Sequence, residues 1–365
     1  MANNRIFYAC QAVAIAPCFT AHSDANTAIV HGVQSVGITT NFNLEQAFEL
    51  GQIQIYENIE GTPDVEVTLE KVLDGYPLIY HLASPEATEP TLTSRSTQRC
   101  CVALGVYPEE KDSVSGVAPV EVYMSGMYFS SLSYTFPTDG NCTESVTLVG
   151  NSKEWNTSNP KLMTAATAEE IPTNGSTGAG EDEPLALTNA QGGIQRRENV
   201  VIQSSILPQS IYGVAQNTND GNAWDAVNET PLVHVQSLTI STDLGREDIN
   251  ELGRKTPYYR APNFPTEVTA EFEVIAISGD FVSAYENGDP SFVGTENEGS
   301  NTSEETIKVA LQDGSVFSLG TKNRLSSVTY GGGDAGGGNA TITYSYSTFN
   351  DLTVTHPEDP AGQTQ

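Results

Sequence analysis

The sequence predicts a mainly β protein built from two tandem antiparallel domains of sandwich or barrel type, each with a short helix. Three observations predict this: an internal repeat, a period-two alternation of apolar and polar residues in both copies, and turn residues in place of helical periodicity between the runs. Val33 to Tyr56 and Val235 to Tyr258 align without a gap at an offset of 202, with 10 of 24 positions identical. Chance would give about one or two. After a one-residue slip, Val65, Val67 and Leu69 answer Val268, Ala270 and Phe272, and Ser130 to Tyr134 answers Ser326 to Tyr330. The duplication therefore spans whole domains. The expected organisation is a first domain at 1–150, an acidic Gly/Thr/Asn-rich linker or long loop at 151–195, and a second domain at 196–365.

In the first copy Val36, Ile38, Thr40 and Phe42 alternate with smaller or polar residues, and Leu238, Ile240, Thr242 and Leu244 repeat the pattern. Both runs read as strands buried on one face. Leu44 to Leu50 and Ile249 to Leu252 are the helix candidates, stopped by Gly51 and Gly253, which can adopt the left-handed cap. Val65, Val67, Leu69 and Leu73 alternate with Glu66, Thr68 and Glu70, while Val268, Ala270, Phe272 and Val274 alternate with Thr269, Glu271 and Glu273. These strands carry acid opposite the core. Tyr128 to Phe136, a turn at 137–141 and Glu144 to Val149 read as a hairpin, matched by Ser327 to Tyr330, the run 331–339 and Ala340 to Ser345. Between the copies, 151–193 is too polar to bury a core of its own. The second copy begins near Arg196, and Val200 to Pro208 resembles Ala9 to Pro17. A second loose insertion, 287–305, replaces the region of Ser84 to Cys101.

Forty-six acidic and sixteen basic residues give a formal charge of -30, which excludes nucleic-acid binding through a basic surface. No run of about 18 apolar residues could span a bilayer, and the opening MANNRIFYACQAVAIAP has no basic region leading into an apolar stretch and a cleavage site. No membrane partner is expected. The five cysteines form no CxxC or zinc pattern and are expected to be reduced thiols in a protein assembled in the cytosol. No catalytic motif is present, so the chain is not expected to be an enzyme, and no cofactor or metal site is expected. The glycine run 331–338 lacks a lysine and reads as a turn. Asn217 to Gly221 misses the calcium-loop register. His22, His31, His81, His234 and His356 are isolated in sequence.

The run Val33 to Phe42, with Glu49-Leu50-Gly51, Ile55-Tyr56 and the strand at 65–72, resembles the major tail tube proteins of long-tailed bacteriophages. So do Val122 to Tyr128, Ser131 to Phe136 and Asp139-Gly140-Asn141. The likeness covers about two thirds of the chain. It implies tail-tube-type β domains whose strands join neighbours into a continuous inner barrel, with rings of six domains that stack. A duplicated domain implies trimeric rings with pseudo-sixfold symmetry. It further implies a structural virion protein that conducts DNA without binding it, is located in the tail after assembly in the host cytoplasm, and contacts itself, the tape measure, the terminator and possibly a sheath. The alternative is a virion decoration, tail-tip or adhesin-type binding protein with repeated β domains.

The acidic strand faces suit the lining of a channel, because each basic side chain touching phosphate would add affinity and stop a moving DNA. Glu66, Glu70, Glu271 and Glu273 are therefore candidate lumen-facing residues, the other reading being a solvated outer face. The loops at 52–60 and 254–264 are candidate contacts between subunits, with Gln52, Tyr56, Arg254, Lys255, Tyr258 and Arg260 as the named residues. Their chemistry differs between the copies, as expected if each meets a different neighbour.

Overall fold

A computed structural model of the chain describes residues 6, 8–18, 28–51, 53–84, 87, 89–108, 118–157, 160–163, 193–201, 208, 211, 234–276, 305–331 and 338–357. The first repeat contains β1 (Gln11–Pro17), β2 (Ala28–Ile29), β3 (Val33–Asn41), β4 (Leu44–Phe48), β5 (Ile55–Glu60), β6 (Asp64–Val72), β7 (Cys100–Val106), β8 (Val120–Pro137), β9 (Thr143–Gly150) and β10 (Glu154–Asn156), with helices α1 (Ile79–Leu82) and α2 (Leu92–Ser96). The second contains β11 (Val200–Val201), β12 (Val235–Asp243), β13 (Glu247–Ile249), β14 (Tyr259–Ala261), β15 (Glu267–Ile275), β16 (Lys308–Leu311), β17 (Val316–Ser318), β18 (Arg324–Gly331), β19 (Thr341–Phe349) and β20 (Thr353–Thr355). The fold is mainly β, in antiparallel sheets.

One face of the molecule is a continuous wall in the order β3-β6-β9-β8-β12-β15-β19-β18. Its halves have the same internal order, first repeat then second. The alternation in sequence sets its two faces: Val65, Val67 and Leu69 are buried while Glu66, Thr68 and Glu70 are exposed, and Val268, Ala270 and Phe272 are buried between Glu267, Thr269, Glu271 and Glu273. Val36 faces Leu69 across the ladder as Leu238 faces Phe272. A one-residue slip would turn every one of these side chains over.

The repeats agree even in their irregularities. Register shifts fall between Val33 and Ser35 and between Val235 and Ser237, and again between Phe129 and Ser131 and between Leu325 and Ser327. The chain turns out of β3 at Asn43 with φ 47° and out of β12 at Gly245 with φ 50°.

A second layer closes each half. In the first repeat β2, β1, β7, the N-terminal part of β8 and β10 are joined, and in the second β11, β16, β17 and β20. Strand β8 serves both layers: up to Met127 it pairs with β7, and from Tyr128 it pairs with β9. Gly126, at φ 68°, lies at the crossing, in a backbone region that a side chain would strain. The second repeat divides the same path into β17 and β18. Between the layers lies one hydrophobic core that runs through both repeats. Phe317 packs against Tyr134 and Phe136 of the first repeat, with ring centroids 4.5 and 5.3 Å away. Each such buried ring contributes about 2 kcal/mol.

Helix α1 is held by a buried acid. The Glu144 carboxylate accepts hydrogen bonds from the Ile79 and Tyr80 amides at 2.7 and 3.1 Å and from the Tyr134 hydroxyl at 3.1 Å. Burial pushes its pKa up against these donors, which act to lower it. The helical segment reaches the second repeat, where Leu92 donates its amide to the Leu352 carbonyl at 3.0 Å.

Several expectations are corrected. Leu44 to Leu50 is strand β4 and a hairpin tip, paired with β5 from Leu44↔Glu60 onward. Ile249 to Leu252 is the end of β13 and its turn. Gly51 and Gly253, at φ 93° and 89°, shape hairpin tips and do not cap helices. The described helices lie instead at 79–82 and 92–96, and the matching stretch of the second repeat, 277–304, is outside the described residues. The polar stretch from 151 begins as part of the first domain: β10 pairs with β8, and the Glu121 carboxylate accepts the amides of Lys161, Leu162 and Met163 at 2.9 to 3.0 Å. Residues 164–192, Asn217 to Gly221 and His22 lie outside the described residues. Cys18 and Cys101 form a disulfide, not a pair of thiols, because Ala16↔Cys101 pairing places Cys18 beside its partner with Cα atoms 5.2 Å apart. Cys10, Cys100 and Cys142 are buried thiols, and burial pushes Cys100 and Cys142 up to about 12.

Candidate assembly interface

The joint between the repeats is a ladder between β8, on one side of the first half-wall, and β12, on the opposite side of the second. It runs from Ser237↔Pro137 through Ile240↔Tyr134 to Asp243↔Ser131. Two unlike edges meet, so the contact is head to tail. Among the described strands, the same two edges recur without a neighbour at the ends of the wall: β3 is the counterpart of β12, and β18 the counterpart of the second half of β8. Ile240 is 1% exposed in the joint and Tyr134 0%, whereas Ile38 is only partly buried and Tyr330 is 52% exposed.

A hairpin reinforces the joint. The pair β13 and β14 lies over the first repeat, anchored by Leu244, which is 1% exposed, and by Arg246. Arg246 donates from Nε to the Phe129 carbonyl at 2.6 Å, from Nη1 to the Arg260 carbonyl at 2.8 Å and from Nη2 to the Ser96 carbonyl at 2.6 Å. Its guanidinium also lies 4.9 Å from the Tyr128 ring centroid. Burial lowers its pKa to about 10, so the charge is retained at neutral pH. Tyr259 meets Tyr128 edge-on at 5.8 Å, and Arg260 bridges Asp64 of the first repeat and, at 3.0 Å, Asp248 of its own hairpin. Burial raises the Asp248 pKa, opposed by Arg260.

The matching hairpin of the first repeat, β4 with β5, leaves its apolar side chains uncovered by the described residues. Phe42, at the position of Leu244, is 60% exposed, and Leu44, at that of Arg246, is exposed as well. Phe48, Leu50, Ile53, Ile55, Tyr56 and Ile59 are exposed beside them. An apolar patch of this size is larger than the singly scattered apolar residues usual on a monomer's surface.

Of the candidate contact residues, Tyr56 and Tyr258 hold equivalent exposed positions on the two hairpins. Arg254 pairs with Glu251 at 3.1 Å and lies over the Tyr258 ring. Lys255 accepts a hydrogen bond at its carbonyl from Thr62 of the first repeat. Arg260 is 8% exposed and committed within the chain; it joins repeats of one chain and does not offer itself to another. Gln52 lies outside the described residues. Arg246, the main anchor, was not singled out by the sequence, and its only signal was an arginine facing Leu44 in the alignment.

Glu66, Glu70, Glu271 and Glu273 all lie on the face of the wall opposite the core. Glu70 and Glu273 are equivalent, and each accepts a hydrogen bond from a serine of the adjacent strand, Ser35 and Ser237, at 3.2 Å. Most of the strand positions between them are hydroxyl residues. One row across all eight strands reads Ser35, Glu70, Ser145, Ser133, Ser241, Thr269, Ser347 and Arg324. Arg324 is the one cation on this face among the described strand positions. No group of three or more His, Cys, Asp or Glu is placed to hold a metal ion among the described residues.

No family model and no curated protein matches the chain. Among solved structures, it is similar to a chain of the sixfold-symmetrised anti-feeding prophage baseplate, at 12% identity over 43% of this chain and 97% of that one, with a TM-score of 0.32. It is also similar to a chain of the cap that terminates the anti-feeding prophage tube, at 13% identity over 43% of this chain and 95% of that one, with a TM-score of 0.31.

Proposed function

We propose that the chain is a structural subunit of a phage-like tail, that three copies close head to tail into a ring of six similar domains, and that rings stack into a tube through which DNA passes. The observation that carries this reading is the β8 to β12 joint, whose two edge types reappear at β3 and β18 with no further neighbour among the described strands. A head-to-tail contact repeats until it closes, and closure leaves no strand edge exposed. Pairing β18 of one copy with β3 of the next in the joint's register sets Tyr330 opposite Ile38 and Val328 opposite Thr40. It completes the burial of Val36, Ile38, Val328 and Tyr330, each contributing on the order of 1 kcal/mol. The hydroxyl and carboxylate face then lines the channel, offering DNA no dense basic surface on which to stick.

In this reading the protein belongs to the virion tail and contacts itself and other tail proteins. Electron microscopy and native mass spectrometry of the purified chain test it. Hollow stacked rings with a trimeric mass are the expected result; monodisperse monomers at high concentration would refute it and favour a decoration or adhesin module.

A further inference from the structure

Leu244 enters the joint at an irregularity of the strand it meets. Ser130 is the extra residue at the register shift of β8, between Phe129 and Ser131, and its carbonyl accepts the Leu244 amide at 2.9 Å. A bulge of this kind takes its extra residue out of the regular ladder and can offer its carbonyl to a neighbour. The second repeat has the same bulge on β18, where Ser326 is the extra residue between Leu325 and Ser327. The Ser326 hydroxyl is fixed on the Ser345 carbonyl at 2.8 Å. Leu325 beside it is half-buried, whereas its counterpart Phe129 is fully buried. The residue that fits the first bulge also has a double. Leu244 is set by a turn in which the Gly245 amide donates to Asp243 Oδ1 at 2.9 Å, with Gly245 at φ 50°. In the first repeat the Asn43 amide donates to Asn41 Oδ1 at 3.2 Å, with Asn43 at φ 47°. The two turns therefore present Leu244 and Phe42 alike.

We infer that the Ser326 bulge is a socket for Phe42 of a second copy of this chain. The Ser326 carbonyl accepts the Phe42 amide, as Ser130 accepts that of Leu244, and the ring is seated at the edge where Leu325 is half-buried. This inference rests on the ring reading, in which β18 of one copy pairs with β3 of the next, and adds the contact that seats the β4 and β5 hairpin on its neighbour. The bulge also selects the partner. An interrupted edge pairs poorly with a regular strand and well with one that brings a donor to the interruption.

The test uses the full chain and separates the socket from the ring. Thr39 and Thr329 are exposed and hold the positions of Ser241 and Ser133, which face each other in the joint. The variant with both Thr39→Cys and Thr329→Cys reports the pairing of β3 with β18. Under mild oxidation it should give linked dimers and trimers on gels without reductant, and each single variant should not. Phe42→Asp should weaken each joint by about tenfold or more, and the three joints of a ring multiply to about a thousandfold. Sedimentation velocity should then show assembly at a concentration about thirtyfold above wild type. Phe42→Leu supplies the residue found in the internal joint and should assemble within a few-fold of wild type. Phe42 is exposed in the single chain, so the thermal melting of unassembled Phe42→Asp should match that of wild type. Phe42→Asp that assembles like wild type, or Phe42→Leu that assembles as poorly as Phe42→Asp, overturns the socket while the cross-link upholds the ring. A chain with Phe42 intact that neither assembles nor cross-links overturns the ring reading and the socket together.

Discussion

Replacing Arg246 by leucine, the residue that the first repeat carries at the same position, should loosen the joint between the repeats more than any single apolar truncation there. Arg246 supplies three donors to three backbone carbonyls, those of Phe129, Arg260 and Ser96, at 2.6 to 2.8 Å. These carbonyls belong to β8, to the hairpin itself and to the end of α2. Hydrogen bonds from a charged donor are each worth about 1.5 to 3 kcal/mol net. The three share one side chain and some of the carbonyls regain water, so their full sum is an upper bound, and about 3 to 5 kcal/mol is expected, the usual range for breaking a buried charged contact. Arg246→Lys keeps the charge but cannot reach three diverging carbonyls from one ammonium, and should recover less than half of the loss. Because one core runs through both repeats, urea unfolding of the wild type should be a single transition. Arg246→Leu should lower its midpoint or split it in two. A loss below about 1 kcal/mol, or full rescue by lysine, would refute the assignment of Arg246 as the anchor.

Two further outcomes are expected. His31 stacks on Tyr76 with ring centroids 4.0 Å apart, and burial, followed by the Lys71 charge, lowers its pKa to about 4. The folded state therefore binds its proton less readily than the unfolded chain: its contribution is fully present above pH 6.5 and is lost as pH falls towards 4, at a cost of about 3 kcal/mol. His31→Phe keeps the stack and should flatten stability against pH in that window relative to wild type; an unchanged slope would refute it. On the open face of the wall, replacing Glu66, Glu70, Glu271 and Glu273 by lysine alters the charge by two at each site, hence eight per chain, without touching the buried parity. The assembled variant should retain DNA at low salt and release it as salt rises. Tubes that form normally and still retain none would show that these carboxylates point away from the channel.

The sequence was legible where side chains alternate and opaque where they meet a neighbour. Period-two runs such as Val65 to Leu69 and Val268 to Phe272 revealed their strands because one face is buried in each copy of the fold, whatever stands beside it. The hairpin at 44–60 misled because Leu44 to Phe48 has no core of its own. With no buried face there is no parity to read, and a glycine at the tip looks like a helix cap. The disulfide escaped for a related reason, since β1 and β7 bring Cys18 to Cys101 across 83 residues, a proximity that spacing does not encode. The alignment that exposed the duplication also held the rest of the information, in its mismatches. Residues buried in either repeat keep their character, as Ile38 and Ile240 do. Positions whose surroundings differ between the copies, such as exposed Leu44 and Arg246 in the joint, or exposed Glu57 and Tyr259 against Tyr128, diverge together. In a duplicated chain that joins head to tail, paired divergence of this kind locates the surface through which the copies meet.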